Sequence, residues 1–395
     1  METDPVYRLL ALCARVECAE ELLASIQTAA NALPDWSTVP TRAEAHRMAP
    51  LLYTHLKAAR VAVPPAAWRE LQGLYLRHRR ASEIRTAALC EILTALNAEA
   101  ISVVVLKGAA LSHFLYPEPG LRPHSDLDLL VPPADLLHAQ QIVQSLGFQG
   151  PPASAVTHRH LPPLHRIQDG LNVEVEIHQR LLSNYFDNVR AYARSLIGRR
   201  DPIGVGENRL PDVSVPLRSF NIGDQSAFTL GLEDQLRHLC DHMISHVNVW
   251  DYARLIWMAD LISLSERFRN EMDWERVRRQ SSQVINTLAL LHWLTPLPDA
   301  VRRTAGIKLG ACPAGIGVEF DGWPRVHAPV SRTMCPSEWW LRLRYARGAR
   351  SLWRERWIRH PLNIVGQAGR ALLEKLGWPT ARELASHSTS SQEQP

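Results

Sequence analysis

No two of the six cysteines, Cys13, Cys18, Cys90, Cys240, Cys312 and Cys335, form a CxxC pair, and their spacing matches neither a disulfide framework nor structural zinc. That usage suits a reduced compartment. Long apolar runs are also missing. The longest uncharged stretch, residues 280–298, is broken by polar residues and two prolines, so it cannot supply the roughly 20 apolar residues of a membrane span. The N-terminus places acids before its apolar residues and has no basic region ahead of a cleavage site, unlike a secretory signal. Without GxGxxG, GxxxxGK[ST] or GxSxG, the dinucleotide-fold, P-loop and serine-hydrolase readings lose their support. No fixed-period repeat is present, which excludes solenoids. These absences together predict a soluble, cytoplasmic protein.

What is present is a chain of 395 residues, 46% apolar and 21% charged, enough to bury a sizeable core. The net charge of +4 is unevenly placed: residues 337–378 hold nine Lys or Arg against three acids. Apolar positions recur at helical spacing from residue 4 to about 98, and again from Leu232 onward. Between them, ISVVVL reads as a buried strand closed by Lys107-Gly108 and followed by a helix. DLDLLV then reads as a second strand, and LPPLHRIQ with LNVEVEIHQRL as a hairpin about Asp169-Gly170. The strands are expected to concentrate between about 101 and 180.

The expected class is α+β, a small mixed sheet flanked by helical regions. The expected limits are a helical region over 1–100, an α+β core over 101–200, a helical domain over 201–336, a basic, aromatic helical segment over 337–385, and a disordered tail over 386–395.

Strand alternation puts Asp126 and Asp128 on one face, their α-carbons about 6.6 Å apart, near enough to share one or two hard cations. The same alternation aligns Glu174, Glu176 and His178. If the two strands are neighbours, three or four carboxylates converge, a costly arrangement unless cations occupy it. Mg²⁺ is the natural occupant, and phosphoryl or nucleotidyl transfer uses such a cluster. Lys107 and Gly108, at a helix start, would offer a cation and backbone N–H groups to phosphates, and Arg122 could reach the same groups. Taken singly, each piece also reads as an ordinary solvated strand or turn. The ordered set is the specific signal.

VVVLKGAALSHFLYPEPGLRPHSDLDLLV, VEVEIHQRL, AEAHRMAPLLYTHL, LRHLCDHMISH and RLIWMADLI together resemble the uncharacterised bacterial nucleotidyltransferase family of the DNA polymerase beta-type superfamily, with its KG…R…SDxDLLV…ExH pattern. The resemblance covers roughly residues 35 to 300. It implies a small mixed sheet, transfer of an NMP from an NTP with Mg²⁺ or Mn²⁺, and Asp126, Asp128 and Glu176 as the catalytic, metal-holding carboxylates. It further implies nucleotide contacts by Lys107, Gly108, Arg122, Ser125, His178 and His242. Glu174 fits the strand face but stands one step off the ExH pattern. Where the wider superfamily has Gly-Ser, this chain has Gly108-Ala109, which shifts phosphate binding toward Lys107. The acceptor is not indicated: a small molecule, a peptide or protein, or RNA would all serve. The other class of reading is a binding protein that retains the fold without turnover.

Two further features stay open at this level. His238, His242 and His246 share a helical face, as a metal site, a triphosphate contact or a helix interface of hydrogen-bonded imidazoles. Trp339, Trp340, Tyr345, Trp353 and Trp357 interleave with seven arginines, which suits nucleic acid, an anionic membrane interface, or an amphipathic helix that buries its tryptophans. The buried helix is the favoured reading.

Overall fold

The computed structural model describes residues 4–151, 160–181, 210, 213–249, 252–320, 334–345 and 351–366. The chain opens with helices α1 (Pro5–Leu12), α2 (Glu20–Asn31), α3 (Val39–Ala45), α4 (Ala49–Ala58) and the long α5 (Pro65–Ala98). Asp4 caps α1 by accepting from the Val6 amide at 2.8 Å. Pro40, Pro50 and Pro65 stand in the first turns of their helices, where a missing N–H costs nothing. Strand β1 (Val104–Val105) follows, then α6 (Lys107–Phe114), β2 (Asp126–Leu130), α7 (Leu136–Ser145), β3 (Leu164–Gln168) and β4 (Leu171–His178). The β3–β4 turn is the expected one, with Asp169 at φ 48° and Gly170 at φ 76°.

Two strands fall outside the expected range. β5 (Arg218–Ile222) and β6 (Gln225–Thr229) form a hairpin on Gly223, at φ 58°, and add to the same sheet. The six strands run in the order β3-β4-β2-β1-β6-β5, mixed in direction. The expectation that the strands are concentrated between about 101 and 180 is therefore extended to 229, and the limit expected at 200 runs through one sheet. The missed signal was alternation: Phe220, Ile222 and Ala227 are buried while their neighbours Ser219, Asn221 and Ser226 are exposed.

Helices α8 (Leu232–Val249), α9 (Leu255–Arg267), α10 (Trp274–Gln280), α11 (Ser282–His292), α12 (Asp299–Ala305) and α13 (Glu338–Arg344) follow, with a π-helical turn over Glu355–Arg359 near the end of the described residues. They do not stand apart from the N-terminal helices, because one apolar cluster runs from Leu9, Leu10 and Leu52 to Leu261, Leu291 and Trp339. A second cluster lies under the sheet and joins Ile92 of α5, Leu127, Leu129, Val173 and Val175. No described helix is long and apolar enough to cross a membrane.

The C-terminal tryptophans divide. Trp339 and Trp340 are buried in the large core, Trp339 donating its indole N–H to the Leu290 carbonyl at 3.0 Å. Trp353 and Trp357 are each 63% exposed, so the expectation of buried tryptophans holds only for the first pair, with Tyr345 also buried. Arg347, Arg350, Lys375 and the tail over 386–395 lie outside the described residues.

Candidate functional site

The site is built where two strands of opposite chain history meet in parallel. β2 pairs with β4 so that Asp126 faces Glu174, Asp128 faces Glu176 and Leu130 faces His178. Their odd-numbered residues, Leu127, Leu129, Val173, Val175 and Ile177, fill the core on the other face, which fixes the register and turns all the polar groups one way. Oxygen and nitrogen atoms of Asp128, Glu176 and His178 lie within 4.8 Å of one another and could hold a metal ion. Asp126 sits one pair further along the same face, outside that group of three. The His238, His242 and His246 ladder does not supply such a group among the described residues.

Charges inside the cluster are partly balanced by the chain. Lys107 Nζ donates to Asp128 Oδ1 at 2.7 Å, and His178 Nε2 lies 2.8 Å from the same oxygen and 3.4 Å from Glu176. Burial alone would raise the Asp128 carboxyl, but Lys107 and then His178 hold it well below the usual carboxylate range. Burial would lower the Lys107 ammonium, yet the pull of Asp128, Asp126 and Glu176 keeps it above its ordinary value. Asp126 moves the other way, pushed up by burial and then by the Asp128 charge. Glu174 is also raised, by burial first, and leans 3.8 Å from His165 rather than into the cluster.

Arg122, expected among the phosphate contacts, lines the cavity of the site but is paired with a buried carboxylate. Its Nε and Nη2 donate to both carboxylate oxygens of buried Asp260, at 2.6–3.0 Å, and Nη1 donates to the Pro123 carbonyl at 2.8 Å. Tyr116 donates to the same carboxylate at 2.7 Å. Gly108 is required by this packing, since an added Cβ would fall 2.8 Å from His124 Cβ and 3.0 Å from Arg122 Nη1. Lys107 itself adopts φ 47°, which swings its side chain back over β2.

A cavity of about 240 Å³ opens above these residues. Lys107, Gly108, Ser125, Asp126 and Asp128 line one side, and His242, His246 and Trp257 of α8 and α9 line the other. His242 faces the cavity from α8. Burial, then the Lys107 charge, drives its pKa well below 6.5 and keeps it neutral. Arg47 and Arg254 close the rim, and sequence reasoning passed over both, although they stand in two of the stretches that carry the resemblance.

A mixed sheet with carboxylates on parallel neighbouring strands and a Lys-Gly helix start beside them has the architecture of a nucleotidyltransferase-like α+β protein. The chain belongs to a family of uncharacterised nucleotidyltransferases, whose model matches residues 33–295. Among solved structures it is similar to an antigenic nucleotidyltransferase-like protein from Paracoccidioides brasiliensis, at 16% identity, 56% coverage of this chain, 98% coverage of that one and a TM-score of 0.31. No curated protein matches the chain.

Proposed function

We infer that this cavity transfers a nucleoside monophosphate from an NTP to a hydroxyl or phosphate oxygen of an acceptor. The observation that carries the reading is the parallel register that sets Asp128, which lines the cavity, against Glu176 on the neighbouring strand. In such a reaction the acceptor oxygen bonds to the α-phosphorus, the bond to the bridging oxygen breaks, and pyrophosphate leaves with the electron pair.

The donor set suits a divalent cation. Asp128 and Glu176 supply hard oxygens and His178 a nitrogen, with the Asp126 carboxylate adjacent. Bound Mg²⁺ or Mn²⁺ would supply Lewis-acid polarisation of the α-phosphate and offset the charge of the leaving group. The rest falls to the chain itself. Asp126 and Ser125 stand at the cavity wall where an acceptor would enter, and a hydroxyl proton has carboxylates within reach. Lys107 holds Asp128 in place and ionised. Neutral His242 presents a hydrogen-bonding ring opposite them.

The test is incubation with each α-labelled NTP, Mg²⁺ or Mn²⁺ and a host lysate, asking which molecule acquires label. Label that appears with the parent protein and not with Asp128→Asn supports the reading. NTP binding without any transfer would instead favour the non-catalytic binding protein.

A further inference from the structure

We propose that Arg47 and Arg254 form the seat for the donor's polyphosphate, across the cavity from the carboxylates, a proposal that rests on the transfer reading above. A polyphosphate entering this cavity needs cations that are not already neutralised. Neither of the two nominated by the sequence qualifies. Lys107 is spent on Asp128 at 2.7 Å, and all three nitrogens of Arg122 donate to Asp260 or to Pro123.

Arg47 and Arg254 differ on this point. Neither has a carboxylate within ion-pair distance among the described residues. Arg47 gives Nη2 to the Ser125 hydroxyl at 3.0 Å, and Arg254 lies over the rings of Tyr252 and Trp257, 5.4 and 5.5 Å from their centroids. A guanidinium held through its face keeps its in-plane N–H donors for an oxyanion. Both side chains are half-buried and both line the cavity with Ser125 and Asp126.

The residues beside the two cations are also tied to each other. His46, beside Arg47, accepts the Leu255 amide, beside Arg254, on Nδ1 at 3.3 Å. That bond needs a neutral imidazole. Burial and then the Arg254 charge push His46 down to about 3, so it stays an acceptor at neutral pH. The cost of the arrangement is visible at Arg47, which burial and then Arg254 lower to about 10. Two like charges clamped side by side at a half-buried rim destabilise the free protein and are relieved by a polyanion. Two planar forks from different elements match the oxygens of adjacent phosphates, where one lysine would offer a point charge.

The same chemistry could come from the donor's phosphates or from a phosphate on the acceptor, and the arms of the experiment separate them. The full-length protein and its Arg47→Gln, Arg254→Gln and exposed-site Arg303→Gln variants are titrated calorimetrically, without divalent cation. The titrants are inorganic tripolyphosphate, a non-hydrolysable NTP, the corresponding nucleoside and a 5′-phosphorylated oligonucleotide. Each of the first two substitutions should weaken tripolyphosphate and NTP by at least about tenfold, as for loss of a charge-assisted contact. Arg303→Gln should change nothing, and nucleoside affinity should be the same in all four proteins. Arg47→Lys and Arg254→Lys should recover part of the loss, which a collapsed fold would not allow. Tripolyphosphate affinity within twofold of the parent in both Gln variants overturns the proposal, and so does a loss confined to the oligonucleotide. If the parent transfers no label yet the variants still lose tripolyphosphate, the seat stands and the transfer reading fails.

Discussion

Lys107 Nζ and Asp128 Oδ1 form a buried ion pair at 2.7 Å, with the Asp128 side chain only 2% exposed. Asp128→Asn therefore removes a candidate metal ligand and also leaves an ammonium in a dry site with a weaker partner. We expect loss of transfer together with destabilisation of about 2–4 kcal/mol, since breaking one side of a buried pair is costly. Asp126→Asn should abolish transfer but hold or raise stability, because its charge is repelled by Asp128. Chemical denaturation of the two variants decides it, and equal melting would show that Lys107 is satisfied without Asp128.

Glu176 and Glu174 share a face of β4 but not an environment. Glu176 faces Asp128 and joins His178, whereas Glu174 leans on His165. Glu176→Gln should lower the transfer rate by at least about a hundredfold and Glu174→Gln by much less. Steady-state rates with saturating divalent cation test this, and the opposite order would mean that Glu174 is the working carboxylate.

The Arg122 and Asp260 pair ties the loop before β2 to α9, and both side chains are buried. Asp260→Asn should cost about 3–5 kcal/mol, because the guanidinium keeps its charge and loses its partner. The double variant Arg122→Gln with Asp260→Asn should be more stable than the single one. A single variant that melts with the parent would show that Tyr116 and the Pro123 carbonyl suffice.

Acid should unfold the protein earlier than its carboxylates alone require. Burial leads the downward shift of His46 and His124 to about 3 and of His113 and His246 to about 4. In the unfolded chain each takes up a proton near 6.5. Between pH 6.5 and about 4 the unfolded state thus binds more protons, and stability falls as pH drops, by about 1.4 kcal/mol per pH unit for each histidine. Above pH 6.5 these groups contribute no slope. Denaturation midpoints across pH 4–8 measure it, and a flat profile below 6.5 would mean that the imidazoles are reached by water.

Truncation after Pro336 deletes Trp339, Trp340 and Leu343 from the large core. The exposed apolar scar should make the remainder melt early or aggregate. Unaltered melting of a soluble truncation would place the C-terminal segment outside the fold and turn attention to nucleic acid.

Much of this protein is written locally. The alternation in DLDLL and LNVEVEIH, the Asp169-Gly170 turn and the helical apolar spacing each depend on residues a few positions apart, and each appears in the structure as read. The carboxylates share a face because side chains on a strand repeat every second residue. β5 and β6 carried the same alternation, but in short polar strands where it is easily passed over.

What the local pattern could not determine is which charges meet. Asp260 lies 138 residues from Arg122, and its carboxylate pairs with that arginine at the edge of the cavity. The parallel register of β2 with β4 and the reach of Lys107 back to Asp128 arise only when the sheet closes over its own apolar cluster, and the clamp between His46 and Leu255 that pairs Arg47 with Arg254 only when the N-terminal helices pack against the later ones. Residue type tells that a cation is present, whereas its freedom to bind a ligand depends on whether a distant carboxylate already holds it, and only tertiary packing brings that carboxylate near.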